Sequence, residues 1–345
     1  MDKLTNFGKL STLYKNIREN YYLVKQGEKP ISMFILISGR LNVYRDNILV
    51  SKITKRGDYI GDIAVLLGTM PSASVKTETP VTVIEIDAGK IDHFLFHTPD
   101  VAISLAQKSA ERLVYLNTNL AAIISRNYKP ELTSKLHSRF TKNESKEANP
   151  LSFEKLRSLY VNFKQGDIIL AQGMPAPALY ILVSGIVDIV RDGKVIASED
   201  IPGYYIGDVS ILRETTANAT VKAKTPCTLI EIHKEKVPGF LKHSPEIAIS
   251  IARKLAERTL SINELFLDLQ SSTILGLKAI RELERKKEKE KYSEEIYQKK
   301  IEFIQKSYKV KEFDSRSFKE QVANFDKVEN EIMELLNLNP EILND

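Results

Sequence analysis

A glycine followed by an aspartate, an apolar run and a stretch of small residues occurs twice in this 345-residue chain. The first copy is Ile60-Gly61-Asp62-Ile63-Ala64-Val65-Leu66-Leu67-Gly68-Thr69-Met70-Pro71-Ser72-Ala73-Ser74-Val75. The second is Ile206-Gly207-Asp208-Val209-Ser210-Ile211-Leu212-Arg213-Glu214-Thr215-Thr216-Ala217-Asn218-Ala219-Thr220-Val221. A turn entering a helix N-terminus, followed by small side chains, can cradle an anion, because backbone N–H groups point outward and no bulky group blocks approach. Groups for bond-making chemistry are missing. The five histidines, His93, His97, His137, His233 and His243, do not form the clustered set with carboxylates that a catalytic metal requires. No serine nucleophile motif and no Walker-type or Gly-x-Gly-x-x-Gly loop is present, so no catalytic residues are assigned and the chain is not read as an enzyme.

The repeated segment resembles the phosphate-binding cassette of cyclic nucleotide-binding domains, which runs Phe-Gly-Glu-Leu-Ala-Leu, a few residues, then Arg-Ala-Ala-x-Val. The spacing agrees and the chemistry departs. Asp62 and Asp208 stand where the family has glutamate. Pro71 and Ala217 stand where it has the arginine that pairs with the cyclic phosphate. Removing one partner of a buried ion pair costs about 3–5 kcal/mol, or about two to three decades of affinity. Ser72 and Asn218 can each donate a hydrogen bond, worth about 0.5–1.5 kcal/mol, which does not replace a charge. The resemblance therefore implies weak or absent cAMP or cGMP binding, with no cofactor required. Asp62 and Asp208 have two readings: acceptors for a ribose hydroxyl, or caps of the cassette helix. Lys76 and Lys222 fall on the strand face opposite the valines, which favours solvated surface. Arg213 is the candidate substitute cation in the second copy. The candidate ligand set is Gly61, Asp62, Ile63, Ala64, Pro71, Ser72 and Ala73, with Gly207, Asp208, Val209, Ser210, Ala217, Asn218 and Ala219.

The elements around the cassettes repeat as well. An offset of 146 pairs Gln26-Gly27 with Gln172-Gly173, and Ser38-Gly39 with Ser184-Gly185. It also pairs Thr79-Pro80 with Thr225-Pro226, His97 with His243, and Glu111-Arg112 with Glu257-Arg258. A constant offset over about a hundred residues marks a duplicated domain. Short β-type runs such as 33–38, 41–44 and 81–86, broken by Gly, Asn and Asp, suggest a barrel or jelly roll. Thr98-Pro99-Asp100 opens a helix running to about residue 125, with Thr98 as N-cap. His97 and His243, just before these helices, are read as capping or packing residues. Residues 1–19 have helix-like apolar spacing. The fold expected is α+β: two β-jelly-roll barrels with flanking helices, plus a helical C-terminal extension. The resemblance extends to the effector domains of the catabolite-activator/Fnr branch and of the regulatory subunit of protein kinase A, over residues 10–125 and 155–270. The helix-turn-helix of the former and the basic inhibitory segment of the latter are not found.

The boundaries expected are 1–126 for the first domain, 127–150 for a polar linker, 151–272 for the second domain and 273–345 for the charged extension. An apolar fraction of 43% with 28% charged residues is ordinary for a globular chain. The net charge of +5 comes from interleaved signs and does not imply DNA. One cysteine, no signal-like N-terminus and no membrane-length apolar run favour the cytoplasm. Phe325, Val328, Ile332 and Leu335 fall at 3-4-3 spacing, which suits a protein partner. The two long helices, in corresponding positions, are expected to pair within the chain as a pseudo-dimer, with a homodimer through the C-terminal region also open. Two functions follow: a regulator signalling through its helices to a protein partner, or a structural adaptor with degenerate pockets.

Overall fold

The computed structural model describes residues 10, 12–127, 153–263, 298 and 302. The first unit holds β1 (Tyr14–Ile17), β2 (Tyr22–Val24), β3 (Ser32–Ser38), β4 (Leu41–Arg45), β5 (Ile48–Ile53), β6 (Tyr59–Ile60), α1 (Asp62–Leu67), β7 (Ser74–Thr77) and β8 (Val81–Asp87). Two helices follow, α2 (Ile91–His97) and α3 (Pro99–Asn127). The second unit repeats the order: β9 (Tyr160–Phe163), β10 (Ile168–Leu170), β11 (Ala178–Ser184), β12 (Val187–Arg191), β13 (Lys194–Glu199), β14 (Tyr205–Ile206), α4 (Asp208–Arg213), β15 (Thr220–Ala223), β16 (Cys227–His233) and α5 (Val237–His243). A last helix, α6, covers 245–263.

Each unit is a sandwich of two four-stranded antiparallel sheets, β1-β8-β3-β6 against β2-β7-β4-β5, and β9-β16-β11-β14 against β10-β15-β12-β13. The α+β jelly-roll expectation holds, with open sandwiches in place of closed barrels. The duplication reaches fine detail. Register shifts fall between Tyr22 and Val24, Leu36 and Ser38, and Val43 and Tyr44, and recur between Ile168 and Leu170, Leu182 and Ser184, and Ile189 and Val190. Such bulges bend a strand and raise its twist, so each pair is a local cause of the same sheet curvature.

The first segment differs from expectation. Tyr14–Ile17 is not helix but an edge strand paired with Val81–Ile84. Tyr14 and Ile17, at its two ends, are partly buried and Lys15 ties to Glu85, so sheet pairing overrides the apolar spacing that looked helical. Residues 1–9, 11, 128–152 and the extension beyond 263, apart from 298 and 302, lie outside the described residues, and with them the region where a helix-turn-helix was sought.

The α3 helix starts at Pro99 as the sequence indicates, with Thr98 at the N-cap position accepting from the Val101 and Ala102 N–H groups through its carbonyl, while its hydroxyl donates back to the Phe94 carbonyl of α2. The His97 ring packs on His93, with centroids 4.4 Å apart, and His243 Nδ1 lies 2.8 Å from the Gly239 carbonyl. The stripe Val101, Ala102, Leu105, Ala106, Ala110 and Leu113 is buried, and so is its counterpart Ile247, Ala248, Ile251, Ala252, Leu255 and Ala256 on α6. These stripes belong to one apolar cluster that joins Met33 and Ile35 of the first unit to Leu179 and Ile181 of the second. A smaller cluster, including Leu36, Leu41, Val75 and Val83, fills the first sandwich. Polar contacts also cross between the units: Lys242 Nζ to Asp100 at 2.8 Å, Arg253 Nε to the Leu66 carbonyl at 3.3 Å, and Arg253 to Asp92. Among the described residues, no helix is long and apolar enough to cross a membrane.

Candidate functional site

Each cassette begins with a glycine that only a glycine fits comfortably. Gly61 has φ 74° and Gly207 φ 83°, the left-handed region that costs a side-chain-bearing residue about 1–2 kcal/mol. A Cβ at Gly207 would also lie 3.1 Å from the Ala178 carbonyl. This turn places the following aspartate at the head of a six-residue helix. Asp62 and Asp208 are 4% and 5% exposed. The N-cap positions belong to Gly61 and Gly207, with the aspartates first inside the helices, so the capping expectation is corrected. Each instead binds an arginine of its own long helix. Arg112 Nη1 donates to Asp62 Oδ2 at 3.0 Å and lies 3.3 Å from Oδ1. Arg258 Nη1 donates to Asp208 Oδ2 at 3.1 Å. A buried carboxylate requires such a partner, because desolvation without one is costly. The pair thus fastens cassette to helix in both units.

The arginine positions are closed. Pro71 and Ala217 are both buried, Ala217 at 3% exposure. The Ala217 N–H donates to the Met174 carbonyl and its own carbonyl accepts from the Gly173 N–H, both at 2.8 Å. Pro71 keeps the second of these, accepting from the Gly27 N–H at 3.0 Å, and as a proline has no N–H for the first. A cation not singled out from sequence approaches the next residue from the end of the neighbouring strand. Arg45 donates from Nε to the Ser72 carbonyl at 3.1 Å and from Nη2 to Ser72 Oγ at 3.3 Å. Arg191 donates from Nε to the Asn218 carbonyl at 3.3 Å. Burial pulls the pKa of both guanidinium groups down, with the adjacent Asp46 and Asp192 pushing back. The sequence signal was available, since the 146 offset also pairs Arg45-Asp46 with Arg191-Asp192.

The other cations behave differently from one another. Lys222 is exposed, as strand parity indicated, and Lys76 Nζ sits 5.3 Å over the Tyr22 ring. Arg213 ends α4 and does not reach the second-unit cavity, so it is not the substitute cation there. Of the remaining candidates, Ala64 and Ser210 are buried in the cassette helices, and Ser210 Oγ donates to the Thr216 carbonyl at 3.3 Å. Ile63 packs partly buried on the main cluster, and Ala73 and Ala219 are half-buried.

Two cavities differ between the units. In the second, a space of about 200 Å³ lies between β12, β13 and α4, with Ile189, Arg191, Ala197, Glu199, Val209 and Asn218 on its walls. The α6 helix adds Arg258 and Ile262, and α3 of the first unit adds Leu113, Val114 and Asn117 as a roof. The Arg258 guanidinium stands 5.5 Å from the Tyr204 ring centroid, within cation–π reach. Of the sequence candidates, only Val209 and Asn218 line this space. In the first unit a cavity of about 250 Å³ lies elsewhere, beside β1, β2 and the β2–β3 loop, with Tyr21, Tyr22, Phe34 and Glu85 around it; Pro71 is its one cassette residue. Among the described residues no group of three His, Cys, Asp or Glu side chains could hold a metal ion.

Two jelly-roll sandwiches, each with a glycine-led cassette helix inserted between strands and a long helix behind, define a tandem-domain architecture. The family described as "Cyclic nucleotide-binding domain" matches residues 14–98 and again 160–244, and the chain carries two domains of that family in tandem. The chain is 25% identical over 224 residues to the cAMP-dependent protein kinase regulatory subunit of Schizosaccharomyces pombe, covering 63% of this chain and 47% of that protein. It is 25% identical over 245 residues to the cGMP-dependent protein kinase of Plasmodium berghei, covering 71% and 25%. The matches thus span less than half the length of these relatives. Among solved structures, the catabolite activator protein of Thermus thermophilus superposes with a TM-score of 0.33 at 25% identity, covering 44% of this chain and 71% of that one.

Proposed function

We propose that this is a non-enzymatic regulatory protein in which two cyclic nucleotide-binding domains signal through their helices to a protein partner. The observation that carries the reading is the replacement of the phosphate arginine in both cassettes by a buried Pro71 or Ala217, while the cassette aspartate is held by the long helix. A cyclic phosphate entering either cassette meets no counter-ion from those positions, so cAMP and cGMP bind weakly or not at all. The Asp62–Arg112 and Asp208–Arg258 pairs give each cassette a mechanical connection to α3 or α6, the route by which a change at a cassette reaches the rest of the chain. The apolar cluster shared by α3 and α6, with the ion pairs Lys242–Asp100 from α5 to α3 and Arg253–Asp92 from α6 to α2, supports the two long helices acting together as an intrachain pseudo-dimer. The domain limits we adopt are 1–126, 151–272 and 273–345, with 127–150 as linker and the last segment as the partner-binding region.

The partner region is tested on the full chain with the substitutions Phe325→Asp and Ile332→Asp made together. Affinity capture with mass spectrometry is expected to recover a defined partner with the parent chain and lose it with the variant, the circular dichroism of the two being equal. Capture unchanged by the substitutions contradicts this assignment and shifts the reading to an adaptor that works through other surfaces.

A further inference from the structure

We infer that the second-domain cavity takes an uncharged, hydroxyl-bearing small molecule of nucleoside size, held between the two domains. This rests on the regulatory reading above and names the ligand class for one of its pockets. Charge is the first argument. The cavity walls carry Arg191, Arg258 and Glu199, and Asp208 lies 3.1 Å behind Arg258. Two guanidinium groups and two carboxylates thus stand at these walls or directly behind them, and Glu199 is 4% exposed. With the charges already balanced, an incoming phosphate gains no net attraction against the cost of its own desolvation. A neutral molecule has the smaller desolvation cost of hydroxyl and ring polar atoms, which hydrogen bonds offset.

Size and lining argue the same way. About 200 Å³ is below the roughly 300–1,000 Å³ of ordinary ligand pockets, which favours a compact ligand without an added phosphate. Ile189, Ile196, Ala197, Val209 and Ile262 give apolar walls for a flat base. Asn117 and Asn218, on the walls, each carry amide donors and an acceptor suited to hydroxyl groups. The roof is the third argument. Leu113, Val114 and Asn117 belong to α3 of the first domain, so an occupant touches both domains and its binding stabilises their association.

The test titrates the full chain with adenosine and guanosine against cAMP and cGMP, by calorimetry and thermal shift. Each pair shares base and ribose and differs in the cyclic phosphate. Two variants accompany the parent: Ala197→Leu, which fills the cavity from β13, and Asn117→Ala, which alters only the roof. The inference expects at least one nucleoside to bind at least 10-fold more tightly than its cyclic nucleotide. It expects that affinity to fall at least 10-fold in Ala197→Leu and several-fold in Asn117→Ala. Nucleoside binding that both variants leave unchanged overturns the inference, since the site is then elsewhere. Silence from nucleosides and nucleotides alike overturns it and leaves the regulatory reading standing. Tighter binding of cAMP or cGMP than of either nucleoside overturns both.

Discussion

Asp62 and Asp208 show why a motif read by spacing alone is incomplete. Each sits where its family has a glutamate, yet each is consumed by an arginine 50 residues further on. The pair is asymmetric in exposure: the Arg258 side chain is 20% exposed and that of Asp208 6%. Removing the arginine strands the carboxylate. Arg258→Met is expected to cost about 3–5 kcal/mol in urea unfolding, and the Asp208→Asn/Arg258→Met double variant to recover most of it. A double variant as unstable as the single one contradicts a specific pair. A milder pH effect belongs to Glu85. Burial raises its pKa, but hydrogen bonds from Lys15 and Ser32 outweigh that and leave it lowered overall. Its contribution is therefore present above the ordinary glutamate pKa and lost as pH falls through the lower folded value. Glu85→Gln is expected to flatten the acid limb of the stability–pH curve at that end; an unaltered limb assigns the acid sensitivity to other groups. The residue types of both features were in the sequence. What was not legible was which carboxylate meets which cation, because those contacts bridge 50 to 70 positions of chain.

At the level of elements, the sequence was most informative where a repeat fixed it. The strands at 33–38, 41–44 and 81–86, the glycine-led cassettes and the helix from Pro99 were all readable, because alternation, turn residues and a constant offset agree there. It misled at Tyr14–Ile17, where a four-residue edge strand carries the same apolar spacing as a helical turn and only pairing with β8 decides between them. The Thr98 hydroxyl illustrates the same limit, since a preceding helix offered it a carbonyl. The cassette turn gives a direct check on local geometry. Gly207→Ala places a Cβ 3.1 Å from the Ala178 carbonyl at φ 83°. It is expected to cost about 1–2 kcal/mol from the backbone alone, with some further loss from the contact. Full retention of the melting temperature would show that the turn can relax.

Across the whole molecule, the two domains share one apolar cluster and a set of ion pairs, so they are mechanically joined even though the cavities differ. A zero-length carbodiimide cross-linker joins an amine to a carboxylate in contact. It is expected to produce an intrachain Lys242–Asp100 link in monomeric protein, with the intradomain Lys108–Asp58 pair, 3.5 Å apart, as the control. The control link alone would mean that the domains do not hold this arrangement. The central proposal concerns charge: with Pro71 and Ala217 at the positions of the phosphate arginine, the two domains bind a cyclic phosphate weakly or not at all. The most direct measurement is a calorimetric titration of the intact chain with cAMP and with cGMP. The account predicts no saturable heat at ligand concentrations of about 1 µM, the level at which binding free energy reaches about 8 kcal/mol. Saturable binding at or below that concentration, at one or two sites per chain, would contradict it and require a phosphate contact from some other residue.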